Sequence, residues 1–138
     1  MPLHLIKLCV GCDTVDELMA WWRTSHTEGQ PWKLRTRQTP KRAAELVDGG
    51  SLYRVYKGFV LSRQRILAME TVGVGVAARC EVTLDASVVL TLPTPRRAFQ
   101  GWRYLDAKDA PADLGRAGKG IAELPAKMRR DLAELGLL

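Results

Sequence analysis

The sequence predicts an α+β fold: a small, mostly antiparallel sheet or partial β-barrel with two N-terminal helical segments and a C-terminal helix. Three observations carry this reading. Strand-like runs follow one another from residue 51 to about 92 with no helix between them. That order favours an antiparallel meander over repeated βαβ units. Helical periodicity is confined to the two ends of the chain. The composition, 46% apolar and 26% charged over 138 residues, is that of one globular domain.

Residues 3–9 form a short, mostly apolar run that reads as a buried strand. A helix start follows. Thr14 with Glu17 three residues on fits a capping box, and Asp13 is an alternative cap. Val15, Leu18, Met19 and Trp22 then share one face, with Trp21 off the stripe. This helix runs to about Thr24, and a polar loop follows to Pro31.

Residues 32–38 alternate, with Lys33, Arg35 and Arg37 on one face and Trp32, Leu34 and Thr36 on the other. As a strand this sets the bases roughly 6.5–7 Å apart, near the spacing of successive phosphates. Thr39-Pro40 reads as the start of a short helix that carries Lys41 and Arg42 in its first turn and ends at Gly49-Gly50. Residues 51–57 and 59–70 are strands, with Gly58 as the turn or bulge between them. Residues 78–84 alternate cleanly. Residues 87–92 form another strand, ended by Pro93 and Pro95. Residues 96–105 are extended loop or strand. Residues 106–120 hold Gly115, Gly118 and Gly120 and read as a flexible connection within the single domain. The terminal helix spans 121–135, with Leu124, Met128, Leu132 and Leu135 on one face.

The net charge of +6 is unevenly placed. Residues 32–65 carry nine bases and two acids, and residues 96–103 add Arg96, Arg97 and Arg103. The rest is slightly acidic. Arg outnumbers Lys fourteen to seven, and Arg is the residue suited to gripping phosphate and stacking on rings. Aromatic residues interleave with these bases: Trp32 by Lys33, Tyr53 and Tyr56 around Arg54, and Phe99, Trp102 and Tyr104 around Arg103. Rings beside arginines are the platform of single-stranded nucleic-acid binding. A solvated basic surface with core aromatics is the plain alternative.

Other motifs point nowhere specific. Cys9 and Cys12 form a C-x-x-C between strand and helix, but both sulfurs precede the helix caps, against a redox site. No second ligand pair accompanies them, so no metal is expected. Gly73-Val-Gly75-Val-Ala-Ala78 matches a dinucleotide fingerprint, yet a strand follows it instead of a helix, so it reads as a hairpin turn. His4 and His26 lie in no catalytic context, and Lys57, Thr36 and Glu70 are the loosest of catalytic candidates. No cofactor is expected. The N-terminus lacks the pattern of a secretory signal, and no apolar run reaches the ~20 residues of a spanning helix. With three cysteines, an odd number, this points to the cytoplasm and away from membranes.

Leu5 to Gly11, Arg35-Thr36-Arg37, Pro40-Lys41-Arg42, Gly49 to Tyr53, Lys57-Gly58, Arg63 to Ile66 and Phe99 to Leu105 together resemble a small alphaproteobacterial family catalogued as a domain of unknown function. The resemblance spans nearly the whole chain and implies no activity. More loosely, Pro40-Lys41-Arg42, a helix ending in Gly49-Gly50 and strands from Ser51 are similar to the order in PUA and ASCH-like barrels, many of which bind RNA. That likeness implies an RNA- or nucleic-acid-binding module. Its candidate face comprises Arg35, Arg37, Lys41, Arg42, Arg63, Arg65, Arg96, Arg97 and Arg103, with Trp102 or Tyr104 for stacking. The alternatives are an ASCH-type enzyme acting on a nucleotide or other anionic small molecule, and a protein-interaction module using the C-terminal helix.

Overall fold

The computed structural model describes residues 2–25, 30–97, 99–116 and 130. The predicted helix over 121–135 lies outside the described residues, apart from Arg130.

Among the described residues eight strands and two α-helices follow in the order β1 (Leu3–Leu8), α1 (Val15–Ser25), β2 (Trp32–Thr36), α2 (Ala43–Val47), β3 (Ser51–Tyr56), β4 (Phe59–Val72), β5 (Arg79–Leu84), β6 (Val89–Pro95), β7 (Trp102–Asp106) and β8 (Asp113–Arg116). The sheet path is β2-β5-β4-β3-β1-β7, with β6 paired to β4 and β8 paired to β6. All pairs are antiparallel except β1 with β3. The α+β, mostly antiparallel sheet expected from the sequence is therefore present.

Strand β4 organises this path. Its first half pairs with β3 and β6, and its second half pairs with β5. Register shifts fall between Val60 and Ser62 and between Ile66 and Ala68. Bulges of this kind bend a strand and strengthen its twist. The two path ends, β2 and β7, are not hydrogen-bonded to each other.

The meander is correct for β3, β4 and β5 and wrong for β6, which returns to β4 instead of continuing beside β5. Pro93 lies within this strand, and Pro95 is its last residue, so the end falls at the second proline. Proline is tolerated where its missing N–H costs no ladder bond. Residues 113–116, read as part of a connection, form β8 on the β6 edge. Arg63 holds it there, its Nε and Nη2 each 2.7 Å from an Asp113 carboxylate oxygen.

Helix α1 opens as its sequence predicts. Glu17 N–H donates to Thr14 Oγ1 at 3.1 Å, while the Glu17 carboxylate accepts the Asp13 N–H. Val15, Leu18 and Trp22 are buried, and Trp21 is exposed. Trp22 stacks on Trp32 of β2, with ring centres 4.1 Å apart. Helix α2 begins later than predicted. Pro40 precedes it by three residues and accepts the Ala43 N–H in a turn, so Lys41 and Arg42 lie before the helix. Leu46 anchors it, fully buried in the main core with Leu3, Leu52 and Ile66. The β3–β4 hairpin closes through Lys57 (φ 46°) and Gly58 (φ 85°), the pair of positive φ values of a type I′ turn.

Sheet alternation separates two sides. Leu3 and Leu5 of β1, Leu52 and Tyr56 of β3 enter the main core. Ile6, Tyr53, Val55, Val60 and Leu105 form a smaller cluster on the other side. His4 belongs to that second side. It is only 7% exposed, and its Nδ1 accepts the Ser51 N–H at 2.9 Å. Burial first, then the Arg63 charge, lower its pKa below the ordinary 6.5, and Asp113 opposes this. The fold therefore favours neutral His4. Its contribution is complete above pH 6.5 and is lost as pH falls below that value. An NMR titration should find His4 titrating below 6.5, with a matching loss of thermal stability in that range. Titration at or above the ordinary value contradicts this packing.

Candidate functional site

Where the two ends of the sheet path approach, the sheet leaves a cleft. The end of β2 and the loop after it supply Arg35 through Lys41. Across from them β7 supplies Trp102 and Tyr104, and the β4–β5 hairpin closes one side with Thr71, Val76 and Arg79. One part of the cleft measures about 770 Å³ and the adjoining part about 530 Å³, with Arg37, Gln38 and Trp102 common to both. The charged residues lining it are Lys7, Arg35, Arg37, Lys41, Arg79 and Arg103, all basic.

The walls are tied in place by hydrogen bonds and ring contacts. The Thr39 and Thr71 hydroxyls are 2.7 Å apart and join the β2–α2 loop to β4. Arg42 N–H donates to Tyr104 Oη at 3.3 Å, and the Arg42 guanidinium lies 5.5 Å from the Tyr104 ring centre. Trp102 meets Tyr104 edge to face at 5.1 Å, which fixes the indole at the cleft wall. Both rings are half-buried.

The sequence-predicted residues divide into groups. Arg35, Arg37, Lys41, Trp102 and Tyr104 meet at the cleft, and Arg103 touches its rim from the smaller-cluster side, where its register with Ile6 turns its guanidinium toward Phe99. Arg37 and Lys41 are exposed and make no ion pair among the described residues. Arg35 shares Glu81 with Lys33, at 3.3 and 3.1 Å. Those two bases hold the Glu81 carboxylate well below its ordinary range, Lys33 first. Arg42 stands at the edge and grips Glu45 through Nε at 2.6 Å. Arg63 and Arg65 are elsewhere. Their registers with Tyr53 and Ser51 put them on the side of the smaller cluster, away from Trp102, and Asp113 occupies Arg63. Arg96 and Arg103 flank Phe99, at 5.8 and 5.2 Å. Arg97 is exposed and outside the cleft.

Lys7 and Arg79 belong to the lining and escaped sequence reasoning. Arg79 follows the glycine-rich hairpin, where it donates to Val76 O and Ala78 O. Its signal was its outward place in the 78–84 alternation. Lys7 looked like an interruption of an apolar strand.

The weaker motifs resolve. Gly73 to Ala78 is a hairpin with a 3-10 turn over Gly75–Ala77, so no helix N-terminus meets a dinucleotide there. Lys57 approaches Asp13 at 3.8 Å, Thr36 donates to Gln38 O, and Glu70 sits opposite Glu81. These three candidates do not form one constellation. Cys9, Cys12 and Cys80 are free thiols. Burial pushes the Cys9 thiol up to about 12, Arg54 opposing. Cys9 therefore carries no useful thiolate at neutral pH. Iodoacetamide at pH 8 should leave Cys9 unmodified in the folded protein, and rapid labelling would contradict its burial. Among the described residues no cluster of His, Cys, Asp and Glu could hold a metal ion. No helix among them is long and apolar enough to cross a membrane.

The fold and cleft define a class: an α+β protein whose open, mostly antiparallel sheet presents arginine, lysine and aromatic side chains where its ends meet. The profile of one protein family, described as "Protein of unknown function (DUF1489)", matches residues 5–138, and the chain belongs to that family. Comparison with curated proteins finds no match, and comparison with solved structures finds none either.

Proposed function

We propose that the chain is a PUA-like module that binds nucleic acid, RNA in preference, through the cleft between β2 and β7. One observation carries the reading: every charged residue lining the cleft is basic, and Trp102 with Tyr104 stands among them. Bases lining a groove attract phosphates, and a fixed ring accepts any base by stacking. The assignment narrows the basic face to Lys7, Arg35, Arg37, Lys41, Arg79 and Arg103, with Arg42 supporting Tyr104. The likeness to PUA barrels rests on element order and is fold-level analogy. Three free thiols suit a reducing, cytoplasmic setting.

A second reading, an ASCH-type enzyme acting on a nucleotide, is favoured by one observation. A further cavity, lined by the buried Arg54, adjoins the cleft at Lys7.

Titration of mixed RNA oligomers at two salt concentrations tests the first reading. Binding should weaken with salt, log K falling by roughly 0.7 per phosphate contact per log unit of salt for single strands. Absence of binding at low salt overturns it.

A further inference from the structure

The inner side of the sheet carries an arrangement that the cleft alone does not explain. Lys7 of β1 is opposite Trp102 on β7 and opposite Arg54 on β3, and Arg54 is opposite Ser62 on β4. Neighbouring strands are roughly 4.8 Å apart, so an indole, an ammonium and a guanidinium stand in one row. Two like charges side by side on adjacent strands repel.

The environment makes the repulsion costly. Arg54 is only 8% exposed. It donates to Gln64 Oε1, and its guanidinium lies 5.5 Å from the Trp32 ring centre. Both partners are neutral. Neither Lys7 nor Arg54 makes an ion pair among the described residues. A buried charge is costly unless an opposite charge meets it. Cys9 does not supply one, because burial keeps its thiol protonated.

Space for an anion exists beside them. Arg54 and Lys7 line a cavity of about 450 Å³ together with Cys9, Cys12, Trp21 and Leu34. Glu17 also lines it and is exposed, accepting the Asp13 N–H at 3.2 Å. Lys7 lines both this cavity and the cleft.

We propose that the Trp102–Lys7–Arg54 row captures a terminal phosphate monoester, so that the cleft takes the phosphorylated end of a nucleic-acid strand. The proposal rests on the nucleic-acid reading of the cleft. The terminal base stacks on Trp102, and its phosphate sits between Lys7 and Arg54. From the β7 backbone at Trp102 to the β3 backbone at Arg54 is two strand spacings, roughly 10 Å. That is comparable to one nucleotide from base to phosphate. A phosphodiester within a strand has chain on both sides, whereas a phosphate on a largely buried guanidinium can have chain on one side only. A terminal monoester also carries close to two negative charges at neutral pH, matching two cations.

The test uses the full chain and four probes. These are one RNA octamer with a 5′-phosphate, the same with a 3′-phosphate, the same with hydroxyls at both ends, and a nucleoside 5′-monophosphate. One phosphorylated octamer should bind at least about tenfold more tightly than the hydroxyl form, as expected for a mostly buried charge contact. In Lys7→Gln that ratio should fall to near one. The probe comparison is made on the wild-type chain, so its outcome does not depend on whether a substituted protein folds. Equal binding of all three octamers overturns the strand-end proposal and leaves the nucleic-acid reading standing. Binding of the mononucleotide with no octamer bound overturns both in favour of a small-molecule site. Binding of no probe overturns both as well.

Discussion

Reversing Arg37 and Lys41 together to Glu should weaken RNA binding by roughly a hundredfold at moderate salt, and should lower the salt slope by about one to two units. The two side chains are exposed at the cleft and make no ion pair among the described residues. Reversal therefore breaks no ion pair in the described fold, and thermal stability should be little changed. Arg65→Glu is the control. Arg65 is exposed, but its register with Ser51 puts it on the side away from Trp102. Binding in this variant should stay within about twofold of wild type, since a remote exposed charge is largely screened. Equal losses in both variants would mean that overall charge, and not the cleft, governs binding. Titrating one RNA oligomer against all three proteins at two salt concentrations separates these outcomes.

The second large effect concerns stability. Gly50→Ala should destabilise the fold by about 3 kcal/mol or more, in the range of severe single substitutions. A methyl at Gly50 would lie 2.2 Å from the Leu3 carbonyl oxygen and 2.3 Å from that of Leu46. Both obstacles are backbone, so neither can rotate away. Gly50 is also the joint of the domain: its N–H donates to Leu46 O, and its carbonyl accepts the Ile66 N–H. Moving it displaces α2 from β1 and opens the core around Leu46. Gly58→Ala is a useful contrast. Its surroundings are empty, and only its φ of +85° is unfavourable. It should cost about 1–2 kcal/mol, the ordinary penalty of a left-handed residue. Urea unfolding of the two variants measures the difference, and similar losses would contradict the tight contact of α2 with β1.

Local signals were legible in the sequence wherever one element decides its own structure. The capping residues and apolar stripe of α1 needed no partner to be read. The 78–84 alternation marked β5, and Gly58 marked the β3–β4 turn. The predictions failed where pairing decides. Nothing in residues 89–95 says that this strand lies against β4 instead of β5. Pro93 suggested an earlier end because its ladder role depends on the neighbouring strand. β8 was hidden by its brevity and by Gly115, and it is held by an Arg63–Asp113 contact across fifty residues of chain. The start of α2 was misplaced because Thr39-Pro40 has the composition of a helix start, while the Thr39 hydroxyl is engaged with Thr71.

The site was partly legible for the same reason. Charge density along the chain marked Arg35 to Arg42 and Arg96 to Tyr104, and the fold brings the ends of β2 and β7 together. Charge density does not record which side of a strand a residue occupies relative to a distant element. Arg63 and Arg65 therefore read as part of the face, although their strand register turns them to the other side. Lys7 and Arg54 were missed for the converse reason. Each is a lone base in an apolar strand, and only the parallel pairing of β1 with β3 makes them neighbours.

The central claim, that the cleft receives nucleic acid, is tested most directly by photocrosslinking. A 4-thiouridine-substituted RNA octamer would be irradiated with the full chain, and the modified peptides identified by mass spectrometry. Crosslinks should concentrate on Trp102 and Tyr104 and fall sharply in Trp102→Ala. Crosslinks confined to the Arg63–Arg65 side of the sheet, or binding without any crosslink in the peptides that line the cleft, would contradict it.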